Sequence, residues 1–372
     1  MNLLYENQNI PDELALHVRS NKELHTYFSI TFDGIKPDNY CGFLHVNNQD
    51  YFIVPKIATD DKNLDIFLYM LMYAYDIKLS HDDLANFSNK KHKFFEIFIR
   101  HFSDKLLNEF KKGIFKKYIT LEDNLKVLRG KYLIEKNFTN FYHQNIYCEY
   151  DEFSMDNELN RFFLYAVKIF KKFSSYQNLN RCEMILDEVE LLHVDIDRHH
   201  IHFDRMNSRY KQSYELALIL LKKLIPLTSK NTNQSFAFLF DMSEVFEKFI
   251  GRIFQDIDNT TKLQNERNFG SLKLKPDIVT KDCIIDTKYK KVNSKDDLST
   301  NDKYQMFAYG TNFEVKETML LYPKHLLHVE ENLELGKDEK MIRLKLKTID
   351  LDSEKEFDEY VEGIKNRLER MQ

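Results

Sequence analysis

The chain has 372 residues, of which 43% are hydrophobic and 30% charged, a composition that excludes large-scale disorder and favours two or three domains. Its net charge of −5 excludes a basic footprint spread over the whole surface, although a local basic channel is compatible with that total. The four cysteines form no Cys-x-x-Cys pair, and the longest apolar run, Ile66–Tyr75, is too short to cross a membrane. With no signal peptide at the N-terminus, we expect a cytoplasmic protein without a zinc site, a disulfide framework or a membrane span.

Short strands and two long helices are predicted for the first 112 residues. The β-like runs Gly42–Val46 and Tyr51–Val54 are predicted to pair as a hairpin, and a third run covers Tyr27–Phe32. Helices are predicted over 63–76 and 92–112, because apolar residues recur there at three- and four-residue steps.

An acidic segment, Tyr147–Arg161, precedes the next predicted helix and follows two β-like runs placed around Leu121–Asn124. We expect Asp156 to cap this helix, because a short side-chain oxygen can accept the first free backbone amides. The alternative interpretation of the acids is a second metal site. The nearby His193, His199, His200 and His202 lack a helical His-x-x-x-His spacing, which favours a solvated loop over a metal site.

The main domain boundary is predicted after a helix over Ser208–Ile225 that ends at Pro226. The polar run Thr228–Gln234 follows and has no apolar residue to bury, so it is the best linker candidate. The predicted segments are 1–150, 151–230 and 231–372.

The pattern that indicates chemistry lies after this linker. Asp286 and Lys288 are two residues apart in an apolar strand and therefore project from one face. Asp277 can lie on the neighbouring strand of a hairpin turned by Thr280–Asp282. Two carboxylates and an ammonium that converge in this way suit Mg²⁺-dependent hydrolysis of a phosphodiester, with Asp277 and Asp286 as metal ligands and Lys288 beside the phosphate or attacking water. The alternative is a salt-bridged hairpin at the surface.

Flanking helices offer further candidates. The predicted helix Asp241–Phe254 carries Glu244 and Glu247 beside its apolar face, and we favour Glu247 as a third metal ligand because it follows apolar Phe246. Gln305 and Tyr309, one turn apart on a later helix, could bind a backbone phosphate or brace the catalytic strand.

Asp277, Asp286 and Lys288 in this order resemble the PD-(D/E)XK nuclease superfamily, and Gln305-x-x-x-Tyr309 resembles the extra motif of its RecB-like branch. Over about residues 40–325 the chain is similar to the McrC family, the nuclease subunits of McrBC modification-dependent restriction systems. The segments that carry this similarity are Val54–Lys56, Leu128–Lys131, Tyr147–Arg161, Phe240–Glu247 and Asp302–Gly310.

The resemblance implies an α+β N-terminal region followed, in 231–372, by an α/β PD-(D/E)XK restriction-endonuclease-like domain with a central mixed sheet flanked by helices. It implies a Mg²⁺-dependent endonuclease of double-stranded DNA, in which Asp277, Asp286, Lys288 and Glu247 take the family's catalytic positions. The partner would be McrB, an AAA+ GTPase that forms hexameric rings, binds the GTP and recognises methylcytosine.

Segment 1–150 would be the partner-binding domain that stimulates GTP hydrolysis, with Lys56, Arg129 and Lys131 as candidate contacts, and 151–230 would join the two halves. The chain has no P-loop motif, so GTP hydrolysis is expected in the partner. Two alternatives stay open: a RecB-like nuclease of different specificity, and a non-catalytic adaptor that only stimulates the partner.

Overall fold

The computed structural model describes residues 2–55, 57, 62–77, 94–141, 144–227, 235–325, 327–353 and 355–371. The chain divides into two compact units. One unit comprises Met1–His92 and Lys223–Gln372; we call it the two-sheet unit after its five- and six-stranded sheets, although it also holds two small two-stranded sheets. The inserted unit comprises Lys93–Lys222. This division differs from the predicted boundaries at 150 and 230, because the first 92 residues form one unit with the C-terminal segment.

The helices and strands of the described residues are numbered in chain order. The helices are α1 (Asp12–Ser20), α2 (Asn63–Ala74), α3 (Phe94–Lys111), α4 (Ile134–Phe138), α5 (Glu158–Phe170), α6 (Gln177–Ile185), α7 (Lys211–Lys223), α8 (Met242–Ile257), α9 (Thr300–Asn312) and α10 (Phe357–Glu369). The strands are β1 (Asn2–Tyr5), β2 (Phe28–Thr31), β3 (Gly34–Pro37), β4 (Tyr40–Val46), β5 (Gln49–Val54), β6 (Lys117–Leu125), β7 (Lys131–Tyr132), β8 (Ile146–Ser154), β9 (Leu224–Leu227), β10 (Ser235–Asp241), β11 (Lys262–Leu263), β12 (Arg267–Phe269), β13 (Leu272–Leu274), β14 (Ile278–Val279), β15 (Cys283–Thr287), β16 (Glu317–Pro323), β17 (Glu330–Leu335) and β18 (Ile342–Ile349).

The first sheet of the two-sheet unit combines strands from both of its chain segments in the order β1-β5-β4-β10-β9. The predicted β4–β5 hairpin is confirmed, and Asn47 and Asn48 turn it with φ angles of 50° and 61°. The predicted helix that ends at Pro226 is shorter, because Leu224–Leu227 pairs with β10. Since β9 is an edge strand, it tolerates a proline that cannot donate to a neighbouring strand.

The second sheet is mixed, in the order β11-β14-β15-β16-β18-β17. Strands β15, β16 and β18 are parallel, whereas β14 pairs antiparallel with β15. The predicted β14–β15 hairpin is confirmed, and the backbone N–H of Thr280 closes it by donating to the carbonyl of Cys283 at 3.0 Å. Buried apolar residues of this sheet pack with Met306 and Tyr309 of α9. The predicted apolar face of α8 is also buried.

One buried contact joins the N-terminal segment to the region that follows β15. The hydroxyl of Tyr289, the residue after Lys288, donates to Oε1 of Glu6 at 2.9 Å, and both side chains are buried. The region beyond β15 is therefore fixed to the residue that follows β1.

The inserted unit contains a three-stranded sheet, β6-β8-β7, and helices α3 to α7 up to residue 222. The break predicted around Leu121–Asn124 is wrong, because these residues continue β6 and pair with β8. No helix among the described residues is long and apolar enough to span a bilayer.

The helix cap predicted at Asp156 is also wrong. The side chain of Asn157 accepts the backbone N–H of Asn160 at 3.2 Å and caps α5, since the helix begins at Glu158. Asp156 lies one residue too early and instead binds the Arg161 guanidinium with both oxygens, at 2.7 and 2.6 Å. Hydrogen bonding from Arg161 outweighs burial and lowers the pKa of Asp156.

Two glycines of the two-sheet unit should respond oppositely to alanine. Gly42 in β4 has a φ of +142°, and a Cβ there would lie 2.2 Å from the Phe238 carbonyl oxygen, so Gly42→Ala should cost about 2–4 kcal/mol. Gly363 in α10 has no atom within 4 Å of a built Cβ, and Gly363→Ala should gain up to about 1 kcal/mol. Urea unfolding measures both, and similar changes for the two variants would contradict this backbone assignment.

Candidate active site

Strand β15 carries the central acid of the site. Asp286 is only 2% exposed, between apolar neighbours of the second sheet. Lys288 follows the last strand residue, and its backbone N–H donates to the Leu321 carbonyl at 3.0 Å, which continues the pairing with β16. The two side chains meet on one face, as predicted, with Lys288 Nζ 2.5 Å from Asp286 Oδ2.

Asp277 is fixed to the same strand by two hydrogen bonds. Its Oδ2 accepts the backbone N–H of Thr287 at 2.9 Å and the Thr287 hydroxyl at 3.0 Å. The β14–β15 register pairs Ile278 with Ile285, so Asp277 stands beside the position of Asp286. The structure thus brings together the two carboxylates and the ammonium predicted from sequence.

Helix α8 brings a third carboxylate to this cluster. The amide nitrogen of Gln264 donates to Glu247 Oε1 and, at 3.2 Å, to Asp277 Oδ1. Glu244 is engaged elsewhere, because Lys223 and Lys248 donate to it at 2.6 and 2.8 Å. Although burial opposes the Glu244 charge, these two lysines lower its pKa to about 2. The geometry therefore favours Glu247 over Glu244 as the acid beside the site.

Gln305 and Tyr309 of α9 brace the cluster. Gln305 Oε1 accepts from Lys288 Nζ at 3.3 Å, and Gln305 Nε2 lies 3.5 Å from Asp286 Oδ1. The same nitrogen donates to the Tyr309 hydroxyl at 2.8 Å, which in turn donates to the Lys275 carbonyl at 3.1 Å. The pair thus fixes Lys288 and the backbone two residues before Asp277, which matches the bracing alternative.

The negative charges that lie close together in the site help to raise the pKa values of Asp286, Glu247 and Lys288. Burial, followed by the Asp277 charge, raises the pKa of Asp286, and the nearby Lys288 offsets these effects only in part. Burial, again followed by Asp277, raises the pKa of Glu247 to about 7. For Lys288, burial opposes the charge, but Asp286, Asp277 and Asp302 outweigh it, so the pKa of Lys288 is raised. Lys288 therefore remains an ammonium in this arrangement.

The acids are not arranged as a complete metal-binding site. No three His, Cys, Asp or Glu side chains within the described ranges are arranged to hold a metal. The cause is local, because the Gln264 amide lies between Glu247 and Asp277 while Lys288 lies against Asp286. Asp286 Oδ2 is buried, and its contact with the Lys288 ammonium at 2.5 Å is an ion pair without hydrogen-bond geometry. Three carboxylates of this kind are the oxygen donors that Mg²⁺ prefers, so the chemistry of the donor set suits the ion.

Three residues of the site were missed from sequence. Gln264 lies in a short irregular segment after β11, where no periodicity marks it. Asp302 is buried at the start of α9 and accepts from Lys290 Nζ at 2.7 Å. The alternation Asp286, Lys288, Lys290 could have indicated Lys290, since every second residue of an extended chain shares a face.

The predicted partner contacts belong to the inserted unit, except Lys56, which lies outside the described residues. Arg129 lies 3.9 Å from the ring centroid of Tyr150 and 3.4 Å from Glu152, and Lys131 lies 3.3 Å from Glu149. The acids of strand β8 therefore pair with Arg129, which precedes β7, and with Lys131, which belongs to β7.

Comparisons with known proteins agree with one another. A sequence model of the family described as "McrBC 5-methylcytosine restriction system component" matches residues 35–323. The fold is similar to a chain in the refined half-complex from the tetradecameric assembly of Thermococcus gammatolerans McrB AAA+ hexamers with bound McrC, at 20% identity and a TM-score of 0.62, covering 100% of this chain and 99% of that one.

A chain in the cryo-EM structure of the Thermococcus gammatolerans McrBC complex is similar at 24% identity and a TM-score of 0.50, covering 71% of this chain and 89% of that one. At these identities both likenesses concern the fold. No curated protein matches the chain. The family match spans well over half of the sequence, and on that basis the chain belongs to the family of McrBC 5-methylcytosine restriction system components.

Proposed function

We propose that this chain is the Mg²⁺-dependent endonuclease subunit of a methylcytosine-dependent restriction complex, activated by an AAA+ GTPase whose GTP hydrolysis it stimulates. The proposal rests on the convergence of Asp277, Asp286 and Lys288 at the end of β15 in a member of the McrBC family. The order α8, β14, β15, α9, β16 supports a PD-(D/E)XK nuclease fold for this part of the two-sheet unit. We infer a cytoplasmic location, where double-stranded DNA and the partner's GTP are available.

We propose different chemical roles for the acids and for Lys288. Glu247, Asp277 and Asp286 would hold Mg²⁺, which when bound supplies Lewis acidity and lowers the pKa of water. Lys288 would offset phosphate charge as an ammonium and would orient or help deprotonate the attacking water. Gln305 holds Lys288 in place, and Tyr309 fixes the segment that leads into Asp277.

The inserted unit supplies the proposed docking surface for the partner. The two similar structures are of McrB AAA+ hexamers with bound McrC and of an McrBC complex, and we extend that partnership to this chain. Between β6 and β8, several apolar side chains lie in solvent; these are Val127, Leu128, Ile134, Phe138 and Phe141. Apolar groups exposed together on a folded unit are typical of a protein interface. Arg129 and Lys131 lie in the same segment and would contribute charge at its rim.

Cleavage of methylated plasmid tests the proposed activity. With the partner, GTP and Mg²⁺ present, Lys288→Ala should lower the cleavage rate by about 10²- to 10³-fold, because one preorganised charge is lost from the transition state. Asp277→Asn should also prevent cleavage, since it removes a proposed metal ligand. Both variants should still stimulate the partner's GTPase, which is measured as phosphate release.

Asp282→Asn provides the matched control, because Asp282 is an exposed acid in the turn of the same hairpin. Omission of the partner, GTP or Mg²⁺ should each prevent cleavage by the wild type. Full cleavage by both site variants, with GTPase stimulation retained, would refute the catalytic assignment, whereas cleavage without partner and GTP would favour a RecB-like nuclease.

The stability of the metal-free protein should depend on whether the Glu247 carboxyl is protonated. Because its pKa is about 7 in the folded protein against a usual 4.5, the folded state binds more protons in that window, and the free energy of unfolding falls as the pH rises through it. In chelator, Glu247→Gln should become more stable than wild type by on the order of 1 kcal/mol between about pH 5 and about pH 8, a value reduced for partial exposure.

Thermal unfolding at each pH measures this difference, and the wild-type comparison cancels the contributions of other carboxyls. Saturating Mg²⁺ should stabilise the wild type more at the higher pH and so reverse the difference. A gap between variant and wild type that stays constant across the pH range would reject the raised pKa.

Substitution of an exposed aromatic side chain tests the docking surface. Phe138 is 86% exposed in the inserted unit, so Phe138→Ser should leave thermal stability unchanged while weakening partner binding by about tenfold or more, as for an interface anchor. Met184→Ser is the control, because Met184 is 74% exposed on α6 of the same unit. Partner binding and GTPase stimulation that are identical in the two variants would exclude Phe138 from the interface.

A further inference from the structure

Gln264 occupies an unusual backbone conformation next to the acids. Its φ of +48° lies in the left-handed region, which costs free energy for a residue with a Cβ and recurs at functional sites. Two backbone hydrogen bonds maintain it: the N–H of Gln264 donates to the Asp277 carbonyl at 2.8 Å, and its carbonyl accepts the N–H of Glu266 at 2.8 Å. The backbone thereby keeps the side chain of Gln264 directed at the site.

The side-chain amide of Gln264 then joins two carboxylates. Its Nε2 carries two hydrogens and donates to both Glu247 Oε1 and Asp277 Oδ1. Like-charged carboxylates in a partly buried site repel each other, and a shared neutral donor partly relieves that repulsion. The nitrogen donates hydrogen and cannot itself coordinate a cation, so it occupies the position between the acids in a form that excludes metal.

We propose that Gln264 is a positioning residue that holds Glu247 and Asp277 together in the metal-free protein and competes with the divalent cation for them. The proposal rests on the proposed function in that it takes these two acids as cation ligands. Gln264 stabilises the metal-free state specifically, and the amide has to release both carboxylates when the cation binds.

Thermodynamic linkage separates this role from that of a simple loop contact. Removing an interaction made only in the metal-free state destabilises that state and favours the metal-bound one. Gln264→Ala should therefore lower the unfolding temperature in chelator while binding the cation about tenfold more tightly, since hydrogen bonds to charged groups are lost from the metal-free state alone. A contact needed merely to fold the loop would weaken or leave unchanged the affinity for the cation.

The experiment uses the full chain and Mn²⁺ as the probe. Mn²⁺ affinity is measured by calorimetry or by the loss of the free-ion EPR signal, and unfolding temperature is measured in EDTA and in saturating Mn²⁺. Gln264→Gly accompanies Gln264→Ala, because glycine adopts the positive φ freely and keeps the loop folded if alanine does not. Asn265→Ala, the neighbouring amide in the same segment, is the control and should behave as wild type.

Tighter Mn²⁺ binding by both Gln264 variants, with a loss of unfolding temperature in EDTA that disappears in Mn²⁺, supports the proposal. Equal losses with and without Mn²⁺, together with unchanged or weaker affinity, overturn it and leave the proposed nuclease site intact. A wild type that binds no Mn²⁺ overturns both the role of Gln264 and the proposed metal site.

Discussion

The geometry of the site depends on the two hydrogen bonds by which Thr287 holds Asp277. Strand β14 contains only two residues, so its pairing with β15 is too short to position an acid that lies before it. The N–H and hydroxyl of Thr287, which lies between Asp286 and Lys288, both donate to one oxygen of Asp277. This attachment leaves the second Asp277 oxygen directed towards Gln264 and Glu247. Without it, the proposed metal ligands would belong to separate elements with no fixed spacing.

Local sequence patterns were sufficient to predict the placement of the site residues that lie on or beside two adjacent strands. Alternation along β15 and the turn at Thr280 predicted the meeting of Asp286, Lys288 and Asp277. The structure places Glu247 rather than Glu244 beside the site, and the contacts that decide this come from Lys223 and Gln264, which are distant in sequence. The roles of these acids in catalysis stay predictions.

The errors have equally local causes. A one-residue shift in the start of α5 moves the cap from Asp156 to Asn157, and no propensity resolves a helix end to that precision. The acidic segment was interpreted as helix-capping, yet most of it is strand β8, whose acids pair with Arg129 and Lys131. The polar run after Pro226 suggested a domain boundary, whereas the units divide at residues 92 and 222, a division that depends on contacts between distant parts of the chain.

The first sheet has a consequence for synthesis of the chain on the ribosome. Strand β4 can form its hairpin with β5 early, but its other edge pairs with β10, and Glu6 pairs with Tyr289. At about 5–20 residues per second, the segment between β5 and β10 takes on the order of ten seconds or more to emerge. The whole inserted unit is synthesised within that interval, while an apolar strand edge of the other unit stays open. The proposed partner-docking unit is thus synthesised before the residues of the proposed nuclease site, so the order of translation would delay any capacity to cut DNA.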